Sequence, residues 1–342
     1  MAPSSTGGTL TITGTNLSNT GTLSVGAGSI LNLGGSLTAA NLGTFSRTAG
    51  STVNLTGILD LSSGALDIGS AGIFGSGGLS SLSGTIKNGT LINTNSTPNF
   101  NALGGSTLDG VTLGSNLNFT GGSYTLIKNS LLLANGITVN LGNHSFYWNT
   151  LNPTQELKTV SGNATINAAG GYPIYAGYGG TGQTVTIGSG ITLQGYGTIG
   201  DSSVATIVNA GTLVANTAGQ TFTINPTTFT NGVDLDPGPG VNIAGTLRAT
   251  AGTLAVTPTN WSNIGAIEST GGTLTITGTN LSNTGTLSVG AGSILNLGGS
   301  LTAANLGTFS RTAGSTVNLT GILDLSSGTW TSVVPVSLAA EA

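Results

Sequence analysis

The chain lacks cysteine altogether, has a single histidine, and carries only 16 charged side chains in 342 residues, six Lys or Arg and ten Asp or Glu. Without cysteine there is no disulfide framework and no thiolate chemistry, and one histidine cannot build a histidine-based metal cluster. A soluble domain usually carries roughly 25% charged residues; here the figure is 5%. Most enzyme classes gather titratable groups in one place, so this scarcity argues against catalysis. Six basic residues against a net charge of −4 cannot neutralise a row of phosphates, which argues against nucleic acid as a partner. Long apolar runs are missing too. A membrane helix needs about 20 apolar residues in sequence, and Ser, Thr, Asn or Gly interrupts every run, so no membrane span is expected. Disorder is disfavoured by a mean hydropathy of +0.28, because disordered chains combine low hydrophobicity with high net charge.

What the chain has in abundance is glycine, 59 residues, together with Ser, Thr and Asn. Residues 5–64 and 269–328 are identical at all 60 positions, offset by 264. Within the first copy, apolar anchors fall at Leu10, Leu17, Leu23, Ile30, Leu37, Phe45, Val53 and Leu59, and Leu66 follows, with a mean step of 7. Around the anchors the residues alternate, as in Thr9-Leu10-Thr11-Ile12-Thr13 and Ser51-Thr52-Val53-Asn54-Leu55. Period 2 marks short strands with one face buried, and the Gly-Gly, Ala-Gly and Asn-Thr-Gly segments between them are turn formers. No 3.6-residue apolar stripe survives the glycines.

A β-sandwich would join its strands by hairpins, yet hairpin spacing is absent and the pattern persists for over 300 residues. The expectation is therefore an all-β fold, a right-handed parallel β-helix with three short strands and about 21 residues per coil, about 15 coils in all. It covers residues 1–330 as one continuous β-solenoid, with 331–342 as a C-terminal tail. A surface of hydroxyls and amides suits such stacking, because like charges on successive rungs repel.

Gly21-Thr22-Leu23-Ser24-Val25-Gly26-Ala27-Gly28-Ser29, Leu37-Thr38-Ala39-Ala40-Asn41-Leu42-Gly43-Thr44-Phe45-Ser46-Arg47-Thr48, Gly84-Thr85-Ile86-Lys87-Asn88-Gly89-Thr90-Leu91 and Leu108-Asp109-Gly110-Val111-Thr112-Leu113 resemble the repeats of very large bacterial surface exoproteins. These are the autotransporter-passenger and filamentous-haemagglutinin-like β-solenoids. The resemblance covers roughly residues 5–330. It implies a secreted or cell-surface rod acting as an adhesin, stalk or matrix component. Met1-Ala-Pro-Ser-Ser has neither the basic nor the apolar region of a leader, so the expectation is a piece of a longer secreted protein.

The aromatic zone departs most from the repeat. All six tyrosines lie within a 73-residue window that also holds His144, Phe146 and Trp148. Exposed aromatics flanked by amides stack on sugar faces, so His144, Tyr147, Trp148, Tyr172, Tyr175 and Tyr178 are the candidate glycan-binding set. The competing reading places alternate residues such as Phe146 and Trp148 in the solenoid core. Asp234 and Asp236, in Val233-Asp234-Leu235-Asp236-Pro237-Gly238-Pro239-Gly240, read first as turn residues and second as a weak calcium site. Arg47 and Asp60 either pair or stay solvated. No phosphate-loop lysine, cofactor motif or nucleophile constellation accompanies them, so no cofactor and no catalytic residue are expected.

Three functions compete. The leading one is a non-enzymatic extracellular shaft or adhesin, a repeat unit of a larger surface protein or filament, with end-to-end self-association and surface glycans as partners. The second is a glycan-binding module centred on residues 144–178. The third is a polysaccharide lyase or glycosidase, which needs paired carboxylates.

Overall fold

The computed structural model describes residues 4–5, 7–15, 17–149, 152–180, 182–201, 204–234 and 242–326; Asp236 and the tail 331–342 lie outside them. The chain divides into two compact units, Met1–Tyr147 with Thr159–Ala164, and Trp148–Lys158 with Thr165–Ala342. It is all-β and about 2% helical, and its parallel strands stack into a β-solenoid of about 14 turns.

The second unit shows why the sequence winds. Thr246–Ala249, Thr253–Val256 and Asn260–Asn263 form one turn, and Ala266–Ser269, Thr273–Ile276 and Asn280–Asn283 form the next. Each strand pairs in parallel with its successor 20 residues on, Thr246 with Ala266, Thr253 with Thr273 and Asn260 with Asn280. That is three strands per coil. In the first unit the offset is 21 from Thr9 to Ile30 and 22 from Ile30 to Thr52. A longer excursion separates Thr212 from Thr246, 34 residues on. It contains an antiparallel pair, Val233 with Ile243 and Asp234 with Asn242, so the expectation of turn chemistry falls on a local departure from the parallel pattern.

Alternation puts threonine outside and aliphatics inside, since successive side chains of a strand point to opposite faces. Three interior stacks result, one per face. Leu247, Ile267 and Leu287 lie in register, as do Phe222, Leu254, Leu274, Leu295 and Val317, and Phe229, Trp261 and Leu281. All eleven are buried. Each contributes about 1.5–3 kcal/mol relative to exposure, and each rests on the residue above and below. A rung is therefore held by its neighbours more than by itself.

One corner of the second unit is held by amides instead. Asn209, Asn231, Asn263 and Asn283 stand in register on successive rungs and are buried. Each Nδ2 donates to the next Oδ1, at 2.8, 2.7 and 2.8 Å, and Asn283 Nδ2 ends the ladder on the carbonyl of Leu306 at 2.9 Å. The N–H groups of Gly211, Gly265 and Gly285 donate to Oδ1 of Asn209, Asn263 and Asn283 at 3.2, 3.2 and 3.0 Å. An amide with two donors and an acceptor oxygen is suited to this place, because a buried polar group without partners costs about 1–3 kcal/mol. The glycine two residues on is dictated by space: a Cβ on Gly285 would lie 2.2 Å from the carbonyl oxygen of Gly265.

Candidate functional site

Two members of the predicted aromatic set are buried. His144 is 2% exposed and Trp148 is fully buried. His144 Nε2 shares a hydrogen bond of 2.9 Å with Thr125 Oγ1, which shares another of 2.9 Å with Ser106 Oγ. Ser106, Thr125 and His144 are thus a polar chain inside the first unit, closed by the rings of Phe119 at 5.1 Å and Phe146 at 6.4 Å. Burial pushes the His144 pKa down, and backbone groups of Gly122 and Gly121 oppose the shift in part; Nδ1 makes no hydrogen bond of its own. In the strand Ser145–Asn149, Phe146 and Trp148 point inward and Tyr147 between them is half-buried. Neither His144 nor Trp148 offers a face to a sugar.

Tyrosines form a ring pair within each unit. In the first unit Tyr147 stacks on Tyr124, with ring centroids 4.7 Å apart and planes inclined by 18°. In the second unit Tyr172, 38% exposed, meets Tyr175 edge to face at 4.9 Å. Gly200 lies opposite Tyr175 on the next rung, and a Cβ there would lie 3.5 Å from the Tyr172 ring. An edge-to-face aromatic pair beside a glycine results. Tyr178 is half-buried. Asp234 contributes backbone to the antiparallel pair. Among the described residues no three His, Asp or Glu side chains gather to hold a metal.

A different constellation emerges on one sheet face of the first unit. Asp60, Lys87, Asp109 and Lys128 occupy the same position on four successive rungs, directly in register. Charges of alternating sign stacked rung upon rung attract, whereas like charges directly opposite destabilise. Lys87 Nζ lies 3.2 Å from Asp60 Oδ2. Asn88 Nδ2 donates to both carboxylate oxygens of Asp60, at 3.2 and 3.3 Å, and Asn129 Nδ2 donates to Asp109 Oδ1 at 2.6 Å. The Ser62 N–H donates to Asp60 Oδ1 at 2.9 Å. That backbone bond is the main reason the Asp60 carboxyl lies below its usual range; burial, the next influence, opposes it, and Asn88 and Lys87 add smaller lowering effects. Arg47 does not join Asp60; it donates to the Ser51 carbonyl at 2.7 Å and to Ser80 Oγ at 3.1 Å.

The backbone beside this stripe is unusual. Ser62, Ser63, Asn88, Asn129 and Ser130 are the non-glycine residues with positive φ among those described, at 49°, 68°, 57°, 52° and 71°. All five sit at the corner that follows the charged stripe, where a bulge interrupts the register between Asp109 and Val111. Such backbone costs on the order of 1–2 kcal/mol per residue, and non-glycine residues in this region cluster at functional sites.

Two clefts flank Asp60. One, of ≈ 390 Å³, extends past Thr38, Asn41 and Ile58 and reaches Lys87. The other, of ≈ 610 Å³, extends past Ser62, Ser63, Asn88 and Thr90. No local pattern announces this site, because its four charges are spaced by 27, 22 and 19 residues and only the true register aligns them. No protein-family model, curated protein or solved structure matches the chain.

Proposed function

We propose that this chain is a non-enzymatic structural segment, the shaft of an adhesin or filament on a bacterial cell surface or in its secreted matrix. The observation that carries this reading is the rung-on-rung bonding: three apolar stacks and a buried asparagine ladder in the second unit, in which each turn is completed by the turns beside it. Side chains and backbone hydrogen bonds are both directed to the adjacent rung, which is the arrangement a tension-bearing repeat needs. The ion pairs Lys87–Asp60 and Arg248–Glu268 join neighbouring rungs, at 3.2 and 2.5 Å, so these charges serve stacking. Single-molecule pulling tests the reading: stepwise unfolding with contour increments of whole turns is the expected result, and collapse in one low-force step overturns it. Light scattering over a concentration series tests end-to-end self-association of copies. Incubation with plant and bacterial polysaccharides, followed by reducing-end assay, tests the enzymatic alternative.

A second reading, glycan contact, is favoured at one place by exposed Tyr172 with half-buried Tyr175 beside Gly200. Aromatic faces stack on the apolar side of a pyranose. Replacing both tyrosines by serine abolishes retention on a glycan array if this pair is the contact.

A further inference from the structure

The cleft between Asn41 and Lys87 has a lining with a definite chemical preference. Its lining sets the hydroxyl and amide groups of Ser36, Thr38 and Asn41 beside Asp60 and Lys87 and against a substantial apolar wall; Ser62, Ser63 and Asn88 belong to the second cleft, on the other side of Asp60. The two charges of the first cleft stand 3.2 Å apart and offset one another. A phosphate or sulfate placed here would face the Asp60 carboxylate, and a cation would face the Lys87 ammonium, so neither is well received. What remains is a neutral ligand rich in hydroxyls, able to donate and accept at every step. One apolar surface completes the cleft: Ile58, 38% exposed, in the wall beside buried Leu37. Pyranoses have that combination, a ring of hydroxyls around an apolar face.

The identical segment in the second unit shows what makes the cleft. There Asn305 Oδ1 accepts from the N–H and Oγ1 of Thr302, both at 2.8 Å, and its Nδ2 donates to the Leu281 carbonyl at 2.6 Å. Asn41 and Thr38, the same residues in the first copy, make none of these bonds and line the cleft instead. Lys87 comes from the rung stacked on Ile58–Asp60; among the described residues no such rung follows Ile322–Asp324. The recess is a product of neighbouring rungs, and three of the five positive-φ residues, Ser62, Ser63 and Asn88, line the second cleft beside it.

We propose that this cleft binds a neutral, extended oligosaccharide. Asp60 accepts from adjacent hydroxyls, Asn41 and Lys87 donate to sugar oxygens, and Ile58 lies under an apolar sugar face. Successive rungs are about 4.8 Å apart, so a chain running along the stripe meets an acceptor and a donor in turn. The inference goes beyond the shaft reading by naming a ligand class for one face of the first unit.

Isothermal titration with cellotetraose, xylotetraose, mannotetraose and maltotetraose tests it, with oligogalacturonate as the acidic comparison. At least one neutral oligosaccharide binds the full chain. Asp60→Asn weakens that binding about ten-fold, the usual effect of losing a charge-assisted hydrogen bond, while Asp324→Asn, the same change in the same 60-residue sequence, leaves it unaltered. Asn41 is exposed, so Asn41→Ala weakens binding without disturbing the fold. The proposal is overturned if none of the neutral probes binds, if oligogalacturonate alone binds, or if Asp60→Asn and Asp324→Asn act equally. It is also overturned if Tyr172→Ser abolishes binding and Asp60→Asn does not, in which case the tyrosine pair is the contact.

Discussion

Residues 5–64 and 269–328 are one sequence placed in two settings. The pairing is the same in both: Thr9 with Ile30 and Thr273 with Ile294, Thr22 with Thr44 and Thr286 with Thr308, Ser36 with Ile58 and Ser300 with Ile322. Burial is not. Leu274 and Ile276 are 0% and 1% exposed, packed on the rung Thr253–Val256, whereas Leu10 and Ile12 are only half-buried. At the other end the order reverses: Leu61 is 5% exposed and its copy Leu325 is 50% exposed. Asn280–Asn283 is a strand where Asn260–Asn263 lies beside it, while residues 17–19 of the first copy carry no strand. Local sequence thus sets strand position and register, and the adjacent rung supplies burial and, at this corner, the strand itself.

The largest expected break in the comparison follows from burial. Leu274→Ala removes a side chain held between Leu254 and Leu295 and costs about 2–5 kcal/mol. The same change at half-buried Leu10 costs about half as much, because less apolar area returns to water. Urea titration of the two variants checks this; equal midpoints would mean that the adjacent rung does not set the energetics. Next in size is the amide corner. Asn283→Ala, at the copy of Asn19, leaves Asn263 Nδ2 and the Gly285 N–H of a buried ladder unsatisfied and costs about 1–3 kcal/mol. Asn19→Ala removes a half-buried amide that donates to the Leu42 carbonyl at 2.9 Å and costs less, which hydrogen exchange at Leu42–Gly43 and Leu306–Gly307 reads directly.

The same contrast explains what could be read from the sequence alone. Apolar anchors at a mean step of 7 and strict alternation sufficed for the parallel solenoid and three strands per coil, because both are local patterns. The buried asparagines were invisible as a set: they are separated by 22, 32 and 20 residues, and the excursion between Thr212 and Thr246 breaks any fixed period. The charged stripe was hidden for the same reason. The aromatic zone was half legible. Alternation in Phe146-Tyr147-Trp148 correctly offered the core to the outer two, while His144 was drawn inward by Thr125, a partner 19 residues away, which no local pattern announces.

Between the two copies lies the chain's only histidine, so pH offers a way to loosen the middle and leave both copies as references. Burial lowers the His144 pKa in the folded chain, and the unfolded side chain titrates near 6.5. The unfolded state therefore binds the proton more readily. Stability from the neutral buried ring is complete above about pH 6.5 and is lost as pH falls from there through the lower folded value. Hydrogen exchange around Phe119 and Phe146 is expected to accelerate from pH 7.5 to 5.5, after correction for intrinsic rates, with both copies unaffected. His144→Gln removes that dependence; equal acceleration in the copies would assign the effect elsewhere.

The smallest expected difference separates Asp60 from Asp324. Both carboxyls are held below the usual range, chiefly by a backbone N–H two residues on, from Ser62 and Ser326. Only Asp60 also accepts from Asn88 and faces Lys87 across the rung. NMR titration should find both below the usual carboxylate range, and added salt should move Asp60 upward more than Asp324, since the Lys87 contribution is partly exposed and screened. The Lys87–Asp60 pair, with side chains 35% and 26% exposed, contributes about 0–1 kcal/mol, so Lys87→Met barely changes stability yet raises the Asp60 pKa. If Lys87→Met leaves Asp60 where it was, the following rung sets burial alone, and the difference between the two copies is one of packing with no electrostatic part.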